Sequence, residues 1–329
     1  MKAMILAAGF GQRLFPLTID RTKPAIPFLG KPLIGYVAEY VAKFGFREFV
    51  VNLHHQPESV MKSLGDGSRF GVHINYTLEE PQILGTAGAL DNARKFLEDD
   101  TFLIINGKII TDIDISKAVE THRKSGALAT MVLMENPKFE KFTEVLVEAG
   151  QVKGFGQGFP EKIQNPKSEV TNPLMFTGIH ILEPRIFDYI PRGVYSDIVP
   201  TFYNPAIEKG EKIAAHITDG KWFELSTIPR YLDISLAMMN GKNVFSGANC
   251  QFDQTAQIAN SIIWDDVKIE NGARLNRTII GDGVVIKSDD NFENAAIVRA
   301  EMLTHCDKIP EKAMKGEIVG ENYVVSLVQ

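Results

Sequence analysis

Cysteine is scarce in this chain: Cys250 and Cys306 are the only two among 329 residues. Two thiols cannot form the bridge framework of a small secreted fold, and no Cys/His group has zinc spacing. They read as free thiols in a reducing compartment. Long apolar runs are absent too. No stretch reaches the roughly 18 apolar residues of a spanning helix, so no membrane partner is expected. The apolar start at Met1–Leu6 meets Gly9 and Gly11 too soon for a secretory leader, which points to the cytoplasm. Basic clusters are missing as well. Lys and Arg number 35 against 41 Asp and Glu, a net charge of −6. That excludes the electrostatic footprint of a nucleic-acid binder. Anionic ligands would have to be held by a few placed cations and backbone N–H groups.

What is present suits a globular protein, with 44% hydrophobic and 23% charged residues. The length exceeds one typical core and suggests a large domain plus a smaller one. Residues 3–8 are continuously apolar, as in a strand buried on both faces. A glycine loop follows. Residues 31–44 read as an amphipathic helix with Ile34, Val37, Ala38, Val41 and Phe44 on one face and Gly45 as its cap. Strands are expected at 48–53, 74–78 and 101–105, with a helix over 85–97. This alternation predicts an α/β fold, a doubly wound Rossmann-like mixed sheet over 1–243. Strands near 129–134, 143–147 and 176–182 extend it, 136–144 and 156–173 read largely as loops, and a helix near 229–240 closes it. In 244–329 the texture changes. Ile262-Ile263, Val267, Ile269, Leu275, Ile279-Ile280 and Val284–Ile286 recur between small and polar residues. Ile263 and Ile280 lie 17 residues apart, close to one coil of a hexapeptide-repeat, left-handed parallel β-helix. Few coils bury little surface alone, so packing on the first domain or a homo-oligomer through the β-helix is expected.

The chemistry concentrates in residues 6–27, LAAGFGQRLFPLTIDRTKPAIP. Gly9 and Gly11 follow a buried strand, so backbone N–H groups can approach phosphate oxygens without a Cβ in the way. No third glycine stands at dinucleotide spacing and no Gly-Lys-Ser/Thr closes the loop, so neither NAD nor a P-loop is indicated. Arg13 and Lys23 add two cations: Arg can grip a phosphate through two parallel bonds, and Lys acts as a point charge.

Gly-x-Gly-x-Arg-Leu-x-Pro-Leu-Thr followed by Thr-Lys-Pro resembles the signature of sugar-1-phosphate nucleotidyltransferases. The resemblance runs on through Leu84–Gly88, Asn106-Gly107, Phe176–Ile179, Trp222–Glu224 and the β-helical tail. It implies transfer of a nucleotidyl group to a hexose 1-phosphate with loss of pyrophosphate. It implies catalytic roles for Arg13 and Lys23, and nucleotide contacts at Leu6, Ala8, Gly9, Gly11, Glu80, Gly85, Thr86, Asn106 and Gly107. Sugar contacts would fall at Thr143, Thr177 and Gly178. In this family the residue at Glu80 faces the base edge. A carboxylate accepts from the two adjacent donors of guanine, whereas uracil and thymine suit an amide. Glu80 thus favours GTP, and mannose 1-phosphate as its partner. Thymidylyl or uridylyl transfer to glucose 1-phosphate stays open as an alternative.

The chain also departs from the family pattern. The family carries Asn-Gly-Asp at the fourth strand's end, and that Asp holds catalytic Mg²⁺; here the stretch is Asn106-Gly107-Lys108. The second metal carboxylate falls at Glu224, followed by Ser226 and Ile228 where the family has Gly and Pro. The hexose-contacting Tyr-Gly is replaced by Phe142-Thr143, and Glu161-Lys162 stand near the place of a missing Glu-Lys-Pro. Asp112 and Asp114 follow Lys108 and could pair with it or hold a metal. Lys108 is compatible with a disabled enzyme, with a metal held by Glu224 and phosphates alone, or with a non-catalytic nucleotide-sugar-binding regulator.

Overall fold

The structure is a computed structural model describing residues 1–138, 140–156, 173–306 and 308–328. The chain folds into two compact units that interleave along the sequence. The first comprises Met1–Ala8, Val37–His54 and Gly65–Trp222; the second comprises Gly9–Tyr36, His55–Leu64 and Phe223–Gln329. The glycine loop and the C-terminal region therefore share a unit.

The first unit is built on a nine-stranded sheet: β1 (Lys2–Leu6), β2 (Glu48–Leu53), β3 (His73–Leu78), β4 (Phe102–Asn106), β5 (Ala129–Glu135), β6 (Glu144–Glu148), β7 (Gln151–Gly156), β8 (Leu174–Leu182) and β9 (Ile213–Ile217). Its order is β3-β2-β1-β4-β8-β5-β9-β7-β6. β1, β2, β3 and β4 run parallel, with Leu6 opposite Asn52 and Asn106. β8 enters antiparallel between β4 and β5, which makes the sheet mixed, as expected. The apolar runs of β1 and β4 are buried on both faces, the condition of central parallel strands. Where residues 85–97 read as one helix, two form, Gly85–Asn92 and Arg94–Leu97, with Ala93 between them. The helix predicted over 31–44 spans Leu33–Lys43 and buries Leu33, Ile34, Val37, Ala38 and Val41.

In the second unit the repeat closes as a left-handed β-helix. Its coils advance by 17 residues: Ile262 pairs with Ile279 and Ile279 with Ala296, all parallel. The corners keep the same period. Asn249, Asp266 and Gly283 have positive φ, and so do Asn260, Arg277 and Asn294. Asn, Asp and Gly tolerate this backbone region and hold five of these six corners; Arg277 is the sixth. Ile263, Val267, Ile269, Ile280, Val284, Ile286 and Ile297 fill the coil interior.

Candidate active site

In parallel α/β sheets ligand loops gather beyond the strands' C-terminal ends. In the first unit that edge carries a buried hydrogen-bond chain. The Ala7 N–H donates to Asn52 Oδ1 (2.9 Å), Asn52 Nδ2 donates to Glu79 Oε1 (2.6 Å), and Glu79 Oε2 accepts from the Leu84 N–H (2.7 Å). Asn52 and Glu79 are 4% and 1% exposed. The loops after β1, β2 and β3 are thus locked to one another, and His54 Nδ1 adds a bond to the Glu79 carbonyl (2.8 Å). Neither Asn52 nor Glu79 was singled out from sequence. The signal was there: an Asn ends an otherwise apolar strand and an acid stands beside Glu80. Glu80 itself is exposed.

Gly85 has φ 73, and a Cβ there would lie 2.7 Å from the Ser196 carbonyl, so only glycine fits without strain. The helix start is held by residues 196–198. Ala87 and Gly88 donate to the Ser196 carbonyl (2.8 and 3.1 Å). The Thr86 N–H reaches Asp197 Oδ1 (3.3 Å), and the Thr86 hydroxyl accepts from the Ile198 N–H (2.8 Å). Thr86 is therefore engaged within the protein as well as standing at a position the resemblance gives to nucleotide.

Asn106 and Gly107 close β4, and the Gly107 N–H donates to the Leu6 carbonyl (2.9 Å). Gly178 has φ 78, and a Cβ there would strike the Asn106 amide. The structure thus brings Leu6, Asn106, Gly107 and Gly178 together. Thr177 is turned the other way: it is fully buried and its hydroxyl donates to the Val132 carbonyl (2.7 Å). Its carbonyl accepts from Trp222 Nε1 (2.9 Å), and Trp222 meets Phe142 edge-on at 5.1 Å. Thr143 is exposed, and its carbonyl accepts from the Phe176 N–H (3.1 Å). Glu161 and Lys162 lie outside the described residues.

Lys108 occupies the turn after β4. Asp112 and Asp114 are spent on backbone groups. Asp112 Oδ1 accepts from the Lys221 N–H (2.6 Å), and Asp114 caps the helix Ile115–Ser125 through the Ser116 N–H (3.0 Å). The hydrogen bond with Ser116 also holds the Asp114 carboxyl below its ordinary pKa.

In the second unit, Gly9 is exposed and Gly11 is left-handed, φ 65, where it starts a 3₁₀ turn over Gln12–Leu14. A Cβ on Gly11 would meet the Lys23 and Thr18 side chains, both at 3.2 Å; the loop folds back so that Gly11 and Lys23 adjoin. Arg13 is exposed, whereas Leu14–Ile19 after it and Pro24–Ile26 after Lys23 are buried. The cations thus ride on anchored backbone. The Thr22 N–H donates to Ser59 Oγ (3.1 Å) and the Ile19 carbonyl accepts from Gln56 Nε2 (2.6 Å). Glu224 is 8% exposed, and its carbonyl accepts from Arg230 Nε (3.1 Å).

Comparisons with known proteins bear on the family and the fold. The family model described as nucleotidyl transferase matches residues 2–241, and one described as GlmU-like, C-terminal hexapeptide matches 236–292. The UTP–glucose-1-phosphate uridylyltransferase of Synechocystis sp. is 33% identical over 87% of this chain and 76% of its own. Mannose-1-phosphate guanylyltransferase 1 of Arabidopsis thaliana is 31% identical over 97% of this chain and 92% of its own. Among solved structures, a Bacillus anthracis protein assigned as a glucose-1-phosphate thymidylyltransferase superposes with a TM-score of 0.62. It is 23% identical and covers 74% of this chain and 96% of its own. That likeness shows the fold. The fold is that of a mixed α/β protein with a hexapeptide-repeat tail. The chain belongs to the nucleotidyl transferase family.

Proposed function

We infer that this protein transfers a nucleotidyl group from GTP to mannose 1-phosphate, forming GDP-mannose and pyrophosphate. One observation carries the reading: the left-handed Gly11 packs against Lys23 in a loop that also presents Arg13. In that reading a phosphate oxygen of the sugar attacks the α-phosphorus. The bond from phosphorus to the β-bridging oxygen breaks, and pyrophosphate leaves with the electron pair. Positioning and neutralisation of spreading charge supply most of the catalysis. Arg13, Lys23 and the loop amides hold the departing phosphates. Leu6, Ala8, Asn106 and Gly107 frame the nucleotide, and Glu80 accepts from the guanine edge. Gly178 leaves room beside Asn106 for the hexose, with Thr143 and the Thr177 backbone as further sugar contacts.

The resemblance implies Mg²⁺, and the donor set does not fit a resident site of two carboxylates. Lys108 offers no oxygen ligand, and among the described residues no three His, Cys, Asp or Glu side chains gather for a metal. Glu224 is the one family metal position that keeps a carboxylate. No step is assigned to a protein-held metal; Mg²⁺ would arrive as the counter-ion of the triphosphate.

Two specific observations favour other readings. The relative named for uridylyl transfer favours UTP with glucose 1-phosphate. Lys108 favours a regulator that binds nucleotide sugar without turnover. Pyrophosphate release in Mg²⁺ separates them: GTP with mannose 1-phosphate should outpace UTP or dTTP with glucose 1-phosphate. A faster pyrimidine reaction would overturn the guanine assignment. If no pair turns over while GDP-mannose binds, the regulator reading stands, and Lys108→Asp should then fail to restore activity. A homo-oligomer joined through the β-helix belongs to the same reading; a monomer in sedimentation velocity would remove it.

A further inference from the structure

Between Arg13 and Lys23 lies Asp20-Arg21, a pair to which the motif gives no role. Both belong to the unit that contains the β-helix. Arg21 is one-fifth exposed at its side chain. Its Nε and Nη2 donate to the two Asp20 oxygens, each at 2.8 Å. Nη2 also donates to Asp282 Oδ2 at 2.7 Å, and the guanidinium lies 5.2 Å from the centre of the Trp264 ring. Asp282 and Trp264 stand on the β-helix. Asp282 is held in turn, since its Oδ1 accepts from the Asp265 N–H (3.0 Å) and its carbonyl from Arg299 Nε (3.2 Å).

The same tryptophan reaches the segment a second time. Trp264 is 4% exposed, and its Nε1 donates to the Tyr231 hydroxyl (3.0 Å), which donates to the Pro27 carbonyl (2.5 Å). Lys23 therefore lies between two tethers, one at Arg21 and one at Pro27, which close on a single β-helix side chain. A third contact, Phe15 against Tyr323 at 6.3 Å, lies on the Arg13 side.

A guanidinium shared by two carboxylates and stacked on an indole is fixed in direction as well as place, because its planar fork allows few alternatives. Burial opposes its charge, yet the two carboxylates outweigh that and raise its pKa. Against a well-packed apolar replacement such a partly buried network contributes little net stability, although removing one partner alone is destabilising. We propose that Arg21 is a positioning residue through which the β-helix fixes the segment bearing Lys23 and so sets the loop's affinity for pyrophosphate. This rests on the reading of Arg13 and Lys23 as phosphate-holding groups.

The test uses the full-length protein and inorganic pyrophosphate, which carries no base and so does not depend on nucleotide choice. Binding is measured by calorimetry for wild type, Arg21→Met, Arg21→Lys, Asp282→Asn and Lys23→Ala, alongside thermal unfolding and KM for the hexose phosphate. Arg21→Met and Asp282→Asn should weaken pyrophosphate by about tenfold, since small misplacements of a charge-holding group cost that much or more. KM for the sugar should stay near wild type, the unfolding temperature should fall less in Asp282→Asn than in Arg21→Met, which leaves two carboxylates unpaired, and Arg21→Lys should recover part of the loss. Should Arg21→Met fail to fold, Asp282→Asn decides, because Asn keeps the acceptor for the Asp265 N–H. Wild-type binding in Asp282→Asn, with binding lost in Lys23→Ala, overturns the proposal. Equal losses in pyrophosphate binding, sugar KM and stability also overturn it, as they mark a merely structural part. Wild-type binding in Lys23→Ala would mean that the phosphate reading has failed first.

Discussion

The strand-end cluster of the first unit and the glycine loop of the second solve opposite problems. In the cluster, Ala7, Asn52, Glu79 and Leu84 satisfy one another in a closed chain of short bonds, and the two side chains that do so are buried. In the loop, Gly9 and Arg13 are exposed and only the flanks are buried. A cluster whose polar groups are all paired gives shape and rigidity. A loop that exposes Gly9 and Arg13 on anchored flanks has capacity for an anion. The difference teaches where to look for each effect: damage to the cluster should show as lost stability, and damage to the loop as lost chemistry.

The largest effect expected is kinetic. Lys23→Ala should lower kcat by roughly 10²–10³-fold, the scale for one charge-stabilising donor, with little change in unfolding free energy. Unchanged turnover in steady-state assays would remove Lys23 from the chemistry and erase the contrast. Glu79→Ala attacks the other side. It leaves Asn52 Nδ2 and the Leu84 N–H without their acceptor, a loss of about 3 kcal/mol, read as a lower urea midpoint at unchanged slope. A variant as stable as wild type would show that the cluster is dispensable.

A third prediction concerns pH and the sheet alone. Burial pushes the His180 pKa down to about 3, and its Nδ1 lies 2.6 Å from the Tyr203 hydroxyl. A depressed folded-state pKa means that the unfolded chain binds the extra proton. The contribution of His180 is therefore complete above its unfolded pKa, about 6.5, and is lost as pH falls toward 3. The slope for one such group is at most about 1.4 kcal/mol per pH unit. Urea titrations between pH 4 and 7 should show it, and His180→Gln should flatten it. The smallest effect is a control outside both regions. Asp114→Ala removes a helix cap and should cost about 1 kcal/mol while leaving kcat unchanged; a fall in kcat would point to a role beyond capping.

The sheet was legible in sequence because buried strands are written as apolar runs, 48–53 and 101–105 among them. The β-helix was legible because its interior residues and left-handed corners share one period. Side-chain direction was not. Glu79 and Glu80 are adjacent acids just past β3, yet only Glu79 is buried, its carboxylate bonded to Asn52 and to the Leu84 N–H. Thr177 stands in a recognisable stretch, yet its hydroxyl bonds within the sheet. Asp112 and Asp114 looked like partners for Lys108, but local turn and cap geometry claimed them first. Arg21 was overlooked because its partners lie 243 and 261 positions away along the chain, at Trp264 and Asp282.

The central claim is that the turn from Gly9 to Lys23 holds a triphosphate tail. A crystal grown with a non-hydrolysable GTP analogue tests it most directly. The β- and γ-phosphates should rest on the amides near Gly9–Gly11, with the Arg13 guanidinium and the Lys23 ammonium within hydrogen-bond reach. Phosphates bound elsewhere, with that turn unvisited, would contradict the account.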